Sequence, residues 1–188
     1  SAGEEANLIT GVTATVNGTA TSITNTLKTV NLKVQKLWAG DSGNAYSTRT
    51  AGETEGTWKV EFLVQYREAG STGWKTFLTQ TAEGSVPLVV SVCGEDTDSL
   101  ASYIVEDLPG IAGREYRAVE LQPGYPAGQP EAGVITGGGE NDLYGATYQA
   151  SYGEANPTID RDSGDCTTTV TNTLRTTKVY AEKVWSPD

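Results

Sequence analysis

Residues 24–41 read TNTLKTVNLKVQKLWAGD, and residues 171–188 read TNTLRTTKVYAEKVWSPD. Eight of the 18 aligned positions are identical, and Asn25/Asn172, Lys36/Lys183 and Trp38/Trp185 are each 147 residues apart. A Trp, a Lys and an Asn-Thr-Leu recurring in one register mark an internal repeat. The repeated stretch joins the end of one unit to the start of the next. Residues 1–27 are therefore read as the closing strands of a preceding unit. Residues 28–177 form one complete unit, and 178–188 the opening strand of a following one. Such a layout suggests a rod or stalk.

Working outward from the repeat, alternation assigns faces. Successive strand residues point to opposite sides. In the first strand Leu32, Val34, Lys36 and Trp38 share the apolar face, and in its copy Val179, Ala181, Lys183 and Trp185 do the same. In the last strand Val170, Asn172 and Leu174 lie together, as Ile23, Asn25 and Leu27 do in the copy. An inward Lys and an inward Asn, each present twice, need a physical reason. An ammonium buried without a partner costs several kcal/mol, so such a group is paired, neutral or chemically changed.

A neutral buried lysine is a nucleophile, and a carboxamide is an electrophile once its oxygen accepts a proton. If the first and last strands lie side by side, Lys36 Nζ can attack Asn172 Cγ and release ammonia. That reaction needs a carboxylic acid kept protonated by burial. Glu120, on the face it shares with Tyr116 and Ala118, is the best candidate, with Glu106 and Glu115 as rivals. The plainer alternatives are a Lys36 that snorkels to the sandwich edge, a hydrogen-bonded Asn172 and a solvated Glu120. Trp38 is expected to pack over the lysine.

The rest of the chain supports an all-β fold. Of its 188 residues 37% are hydrophobic, enough for one core, and only 20% are charged; Gly (22), Ser and Thr supply much of the remaining polarity. Strands are predicted over 12–16, 19–23, 32–38, 58–66, 74–80, 88–93, 103–106, 115–121, 144–152 and 167–174. Asn17-Gly18 is expected to form a two-residue hairpin turn between the first two. A short helix is considered near 96–101. Many short strands separated by Gly/Ser/Thr/Asp/Pro clusters predict a sandwich or barrel.

Charge and composition also exclude function classes. The net charge of −11 repels phosphate backbones and anionic lipid, which argues against nucleic acid and membrane-surface partners. The absence of His excludes serine-protease and papain-like triads and His-ligated zinc. No apolar run approaches membrane-spanning length. Nothing calls for a cofactor or a metal: Asp160-x-Asp162-x-x-Asp165 lacks calcium-loop spacing, and no Lys-Ser/Thr follows Gly137-Gly138-Gly139. Cys93 and Cys166 are candidates for a disulfide in an oxidising setting.

Taken together, Lys36-Leu37-Trp38, Asp107-Leu108-Pro109, Tyr116 to Glu120, Pro123-Gly124-Tyr125 and Thr171-Asn172-Thr173 resemble the collagen-adhesin B-type (Cna B-type) domains of Gram-positive surface proteins and pilins. The resemblance spans the unit and implies a transthyretin-like (prealbumin) β-sandwich. It also implies an autocatalytic Lys–Asn isopeptide bond, here between Lys36 and Asn172 with Glu120 as the proton shuttle. Segments 39–56, 66–100 and 126–165 are long for that family and read as enlarged loops or added strands.

The expected role is a structural stalk unit of an extracellular, cell-wall-associated adhesin or pilus-like protein. Its partners would be neighbouring repeats and, through the loops, a host extracellular ligand. The crosslink turns over once, so the chain is not read as an enzyme. The alternative is an adhesin domain whose loops bind a host protein or glycan; a hydrolase with paired carboxylates ranks third. Asn25 and Lys183 belong to incomplete units without a counterpart of Glu120 and are expected to stay unbonded.

Overall fold

Alternation governs the first strand over its whole length. In the computed structural model β3 (Thr29–Ala39) buries every second residue from Val30 to Trp38 and leaves the intervening ones half-exposed. The structure describes residues 12–16, 23–126, 128–137, 142–153 and 165–184. The other strands are β1 (Val12–Val16), β2 (Ile23–Leu27), β4 (Thr57–Arg67), β5 (Lys75–Thr76), β6 (Leu78–Thr81), β7 (Gly84–Pro87) and β8 (Val89–Glu95). They continue with β9 (Leu100–Pro109), β10 (Glu115–Glu120), β11 (Leu143–Tyr144), β12 (Tyr148–Tyr152) and β13 (Asp165–Leu174).

These strands form an all-β sandwich. One sheet has the order β11-β12-β13-β3-β9, and the other centres on β4, flanked by β10 on one side and by β8 and β5 on the other. The inward residues of the two sheets, Leu32, Val34, Trp38 and Val170 against Trp58, Val60, Phe62, Val64 and Tyr116, make a single core. Each such side chain contributes about 1.5–3 kcal/mol through removal from water. Gly94 lies opposite Trp58 in the β4–β8 ladder, and a Cβ there would come within 2.6 Å of the indole. The absent side chain thus lets the largest core residue lie flat against its neighbour.

Two features place β10. Its outer face carries Val119, which packs with Leu63 and Leu121 under Tyr125 and Val134 of the following segment. That segment is tied back by an isolated bridge between Leu121 and Val134. Across the sandwich, the Ala118 N–H donates to Thr168 Oγ1 of β13 at 3.2 Å. Covered on one side and pinned on the other, β10 is held against β13.

Several expectations need correction. Val16 pairs with Ile23 in the β1–β2 ribbon, whereas a two-residue turn at Asn17-Gly18 would pair it with Thr19; the partner strand is Ile23–Leu27. Residues 17 and 18 themselves lie outside the described set, as do 138–139, 160–164 and Trp185. No helix forms at 96–101: Leu100 and Ala101 open β9, which pairs with β3. β9 also continues through Asp107-Leu108-Pro109. The strain of that segment is taken up in a bulge, with Asp107 at φ +58° and the register shifting between Val30 and Leu32. Finally, β7 was not foreseen, and residues 175–184 are exposed without strand structure.

Candidate functional site

The two terminal strands of the unit are neighbours. β13 runs parallel to β3, with Val170 opposite Lys36 and Asn172 opposite Trp38. Lys36 and Asn172 both point inward, as alternation required, and both are fully buried. From the facing sheet β10 contributes Glu120, likewise at 0% exposure. Its Oε1 lies 3.3 Å from Lys36 Nζ and accepts a hydrogen bond from Asn172 Nδ2 at 2.9 Å. One carboxylate oxygen therefore touches both nitrogens. The rival carboxylates are elsewhere: Glu115 pairs with Arg67, and Glu106 is exposed on β9.

The electrostatics favour neutral groups. Burial pulls the Lys36 amine down to about 8, against the opposing attraction of Glu120. Burial pushes the Glu120 carboxyl up, and neither Lys36 nor Asn172 offsets this fully. Both displacements have one cause: charge is costly in a medium of low polarisability. Each displacement favours the uncharged form of its group. The backbone of Glu120 is fixed by Tyr152, whose hydroxyl accepts its N–H at 2.9 Å and donates to the Ile135 carbonyl. Glu120 Oε2 and Asn172 Oδ1 have no hydrogen-bond partner among the described residues, so the site holds unspent polar capacity.

Trp38 roofs the amine, with Lys36 Nζ 4.5 Å from the ring centroid. The ring sits in a box of aromatic edges, 5.6 Å from Trp58, 5.7 Å from Tyr144 and 4.8 Å from Tyr148.

A second polar cluster adjoins the first, and sequence reasoning missed it. Arg49 and Asp41, in the segment between β3 and β4, form a fully buried ion pair at 3.1 Å. The guanidinium also donates to the carbonyls of Asp41, Asp96 and Asp98, and the Tyr148 hydroxyl donates to Asp41 Oδ2 at 2.6 Å. One signal was available: Asp41 is among the identical positions of the repeat, recurring as Asp188.

The remaining predicted residues do not join the site. Cys93 and Cys166 are not joined to each other. Cys93 lies on the solvent side of β8, while Cys166 faces the core from β13 with its thiol 3.4 Å from the Asn31 carbonyl, so the two point away from a common bond. Lys183 lies in the exposed stretch after β13, and Asn25 is on β2 in the separate two-stranded ribbon. No group of metal-ligating side chains is found among the described residues. No family model, curated protein or solved structure matches the chain.

Proposed function

We propose that this unit is a structural stalk domain that crosslinks itself through an isopeptide bond between Lys36 and Asn172, with Glu120 as its acid–base catalyst. The carrying observation is the single Glu120 oxygen in contact with both reacting nitrogens inside a fully buried site. In the reactive form the carboxamide is turned so that Oδ1 meets the protonated Glu120. The Lys36 Nζ lone pair attacks Asn172 Cγ, and Glu120 gives its proton to Oδ1. The carboxylate then takes a proton from Nζ and delivers it to Nδ2. As the Cγ–Nδ2 bond breaks, the carbonyl re-forms, its proton returns to Glu120 and ammonia departs. One C–N bond replaces another, and the carboxylic acid is regenerated.

The resemblance to Cna B-type domains, with their transthyretin-like sandwich, supports the same reading. So does the adjacency of β3 and β13, the strands through which load would enter and leave the unit. A cell-surface protein of a Gram-positive bacterium, with neighbouring repeats as partners, is the setting this implies. Intact mass of reduced, denatured protein tests the reading. A deficit of one ammonia, absent in Glu120→Ala, supports it, and full mass in both overturns it.

A second reading, an adhesin domain, draws on a groove of about 460 Å³ between the β6–β7 ribbon and β9, with Leu78 and Tyr103 half exposed along it. Host-ligand binding abolished by replacing the 78–87 ribbon would favour it.

A further inference from the structure

Arg49 is tied down by four hydrogen bonds to Asp41 and to the carbonyls of Asp96 and Asp98, and its side chain is wholly buried. That is more than a structural link between loops requires, because the guanidinium also stands 5.1 Å from the centroid of Trp38. The same ring roofs Lys36 at 4.5 Å. Two cations thus share one aromatic ring, and only one of them can shed its charge, since arginine keeps its proton in proteins.

We propose that Arg49 is a positioning residue of the crosslinking site: clamped by Asp41, Asp96 and Asp98, it holds the Trp38 roof over Lys36 and keeps a fixed positive charge beside the amine, so that the proton of the Lys36–Glu120 pair rests on Glu120. This rests on the crosslinking reading given above.

The surroundings of Lys36 are consistent with such a bias. Glu120 faces it from β10 and Asn172 lies beside it on β13, while the Tyr144 and Tyr148 phenols border the Trp38 ring from β11 and β12. Glu120 draws a proton towards the amine, whereas Arg49 repels one. Asp41 partly cancels Arg49, so the two residues of this pair act on the amine with opposite sign. Removal of the cation and removal of the anion should therefore displace the reaction in opposite directions along the pH axis.

The reactive form carries one proton on the Lys36–Glu120 pair, so the rate is bell-shaped in pH. It falls on the acid side when the pair gains a second proton and on the alkaline side when it loses its only one. The experiment uses full-length chain recovered in urea, where the site is not assembled. The chain is diluted into buffers from mildly acidic to alkaline, and ammonia loss is followed by intact mass. Arg49→Gln should move both limbs to higher pH, making the acid limb about threefold slower, the effect of roughly half a pKa unit. Asp41→Asn should move them to lower pH, and Arg49→Lys should leave them in place while lowering the height. Limbs that stay put in Arg49→Gln and Asp41→Asn, with only the height reduced, would show a purely structural clamp and overturn the proposal. If Arg49→Gln does not refold, Asp41→Asn decides alone, by an acid shift for the proposal or a stationary profile against it. Full mass in the wild type at every pH would instead remove the crosslinking reading itself, and with it the role of Arg49.

Discussion

Two cation–carboxylate pairs lie side by side in this molecule with no side-chain exposure, Lys36–Glu120 and Arg49–Asp41, yet they are built differently. The Arg49 guanidinium finds acceptors on Asp41, Asp96 and Asp98, and Asp41 Oδ2 gains a further donor in Tyr148. Among the described residues the Lys36 amine has one acceptor besides Glu120, the Leu37 carbonyl at 3.3 Å. Buried charge is tolerated when hydrogen bonds replace the lost water. The Arg49–Asp41 pair comes closer to that condition, with Asp41 Oδ1 left without a partner among the described residues. The Lys36–Glu120 pair falls further short, and on the proposed reading it sheds its charge by passing a proton from amine to carboxyl, which would supply the nucleophile and the acid together. The Arg49–Asp41 pair thus holds more protein hydrogen bonds than the Lys36–Glu120 pair, and on the proposed reading that difference is the origin of the reactivity.

The largest effect should come from breaking the reactive pair. Glu120→Ala is expected to retain its ammonia and to lose about 5 kcal/mol of stability in urea denaturation, the size of a constraint that closes a loop of well over 100 residues. A Glu120→Ala protein with the mass deficit intact would erase the contrast between the pairs. The structural pair is the next to test. Arg49→Met leaves Asp41 buried and unmatched and should cost about 3–5 kcal/mol, with more than half recovered in Asp41→Asn/Arg49→Met. No recovery in the double variant would mean that Arg49 acts through packing and not through charge.

The pH dependence separates the pairs more finely. Asn172→Ala cannot crosslink, so Lys36 keeps its amine. Its folded-state value of about 8 lies below the 10.5 of the free side chain. Between these values the unfolded chain holds a proton that the folded chain lacks, so stability should rise with pH across that window, by up to about 3 kcal/mol. Glu120 works in the opposite sense at the acid end. Its value is raised, so stability should fall as pH climbs from the ordinary 4.5 towards that raised value. With the proposed bond formed in the wild type Lys36 would be an amide, and the alkaline rise should vanish from thermal unfolding curves. Smallest of all, Lys183→Ala alters the repeat copy of Lys36 in exposed chain. It should change stability by less than about 0.5 kcal/mol and leave the mass deficit unaltered.

How much of this was legible depended on which residues obey a period. β3, β10 and β13 alternate, so the inward positions of Lys36, Glu120 and Asn172 followed from spacing alone. Their meeting point did not, since the facing of β10 against β13 is set by contacts such as Ala118 to Thr168, 50 residues apart. Arg49 and Asp41 belong to an irregular segment where no period assigns a face. The burial of Arg49 depends on carbonyls 47 and 49 residues further on. The cysteines follow the same parity: Cys93 is out of step with the buried Val90 and Val92, whereas Cys166 is in step with Thr168 and Val170. The copies at Asn25 and Lys183 make the same point. On the proposed reading, an identical motif would acquire chemistry only where a third strand brings the acid.

The parallel adjacency of β3 and β13 has a further consequence for reach. The chain between Lys36 and Asn172 contains nearly the whole unit, and laid out straight it would span roughly 450 Å. With the proposed bond in place, tension entering at Thr29 passes along β3, across one side-chain bridge and out through Leu174, and none of that length is released. A row of such units would have no slack: its span under load would be fixed by the folded dimensions of each unit, and a cell attached to its far end would be held at a constant distance until a covalent bond failed.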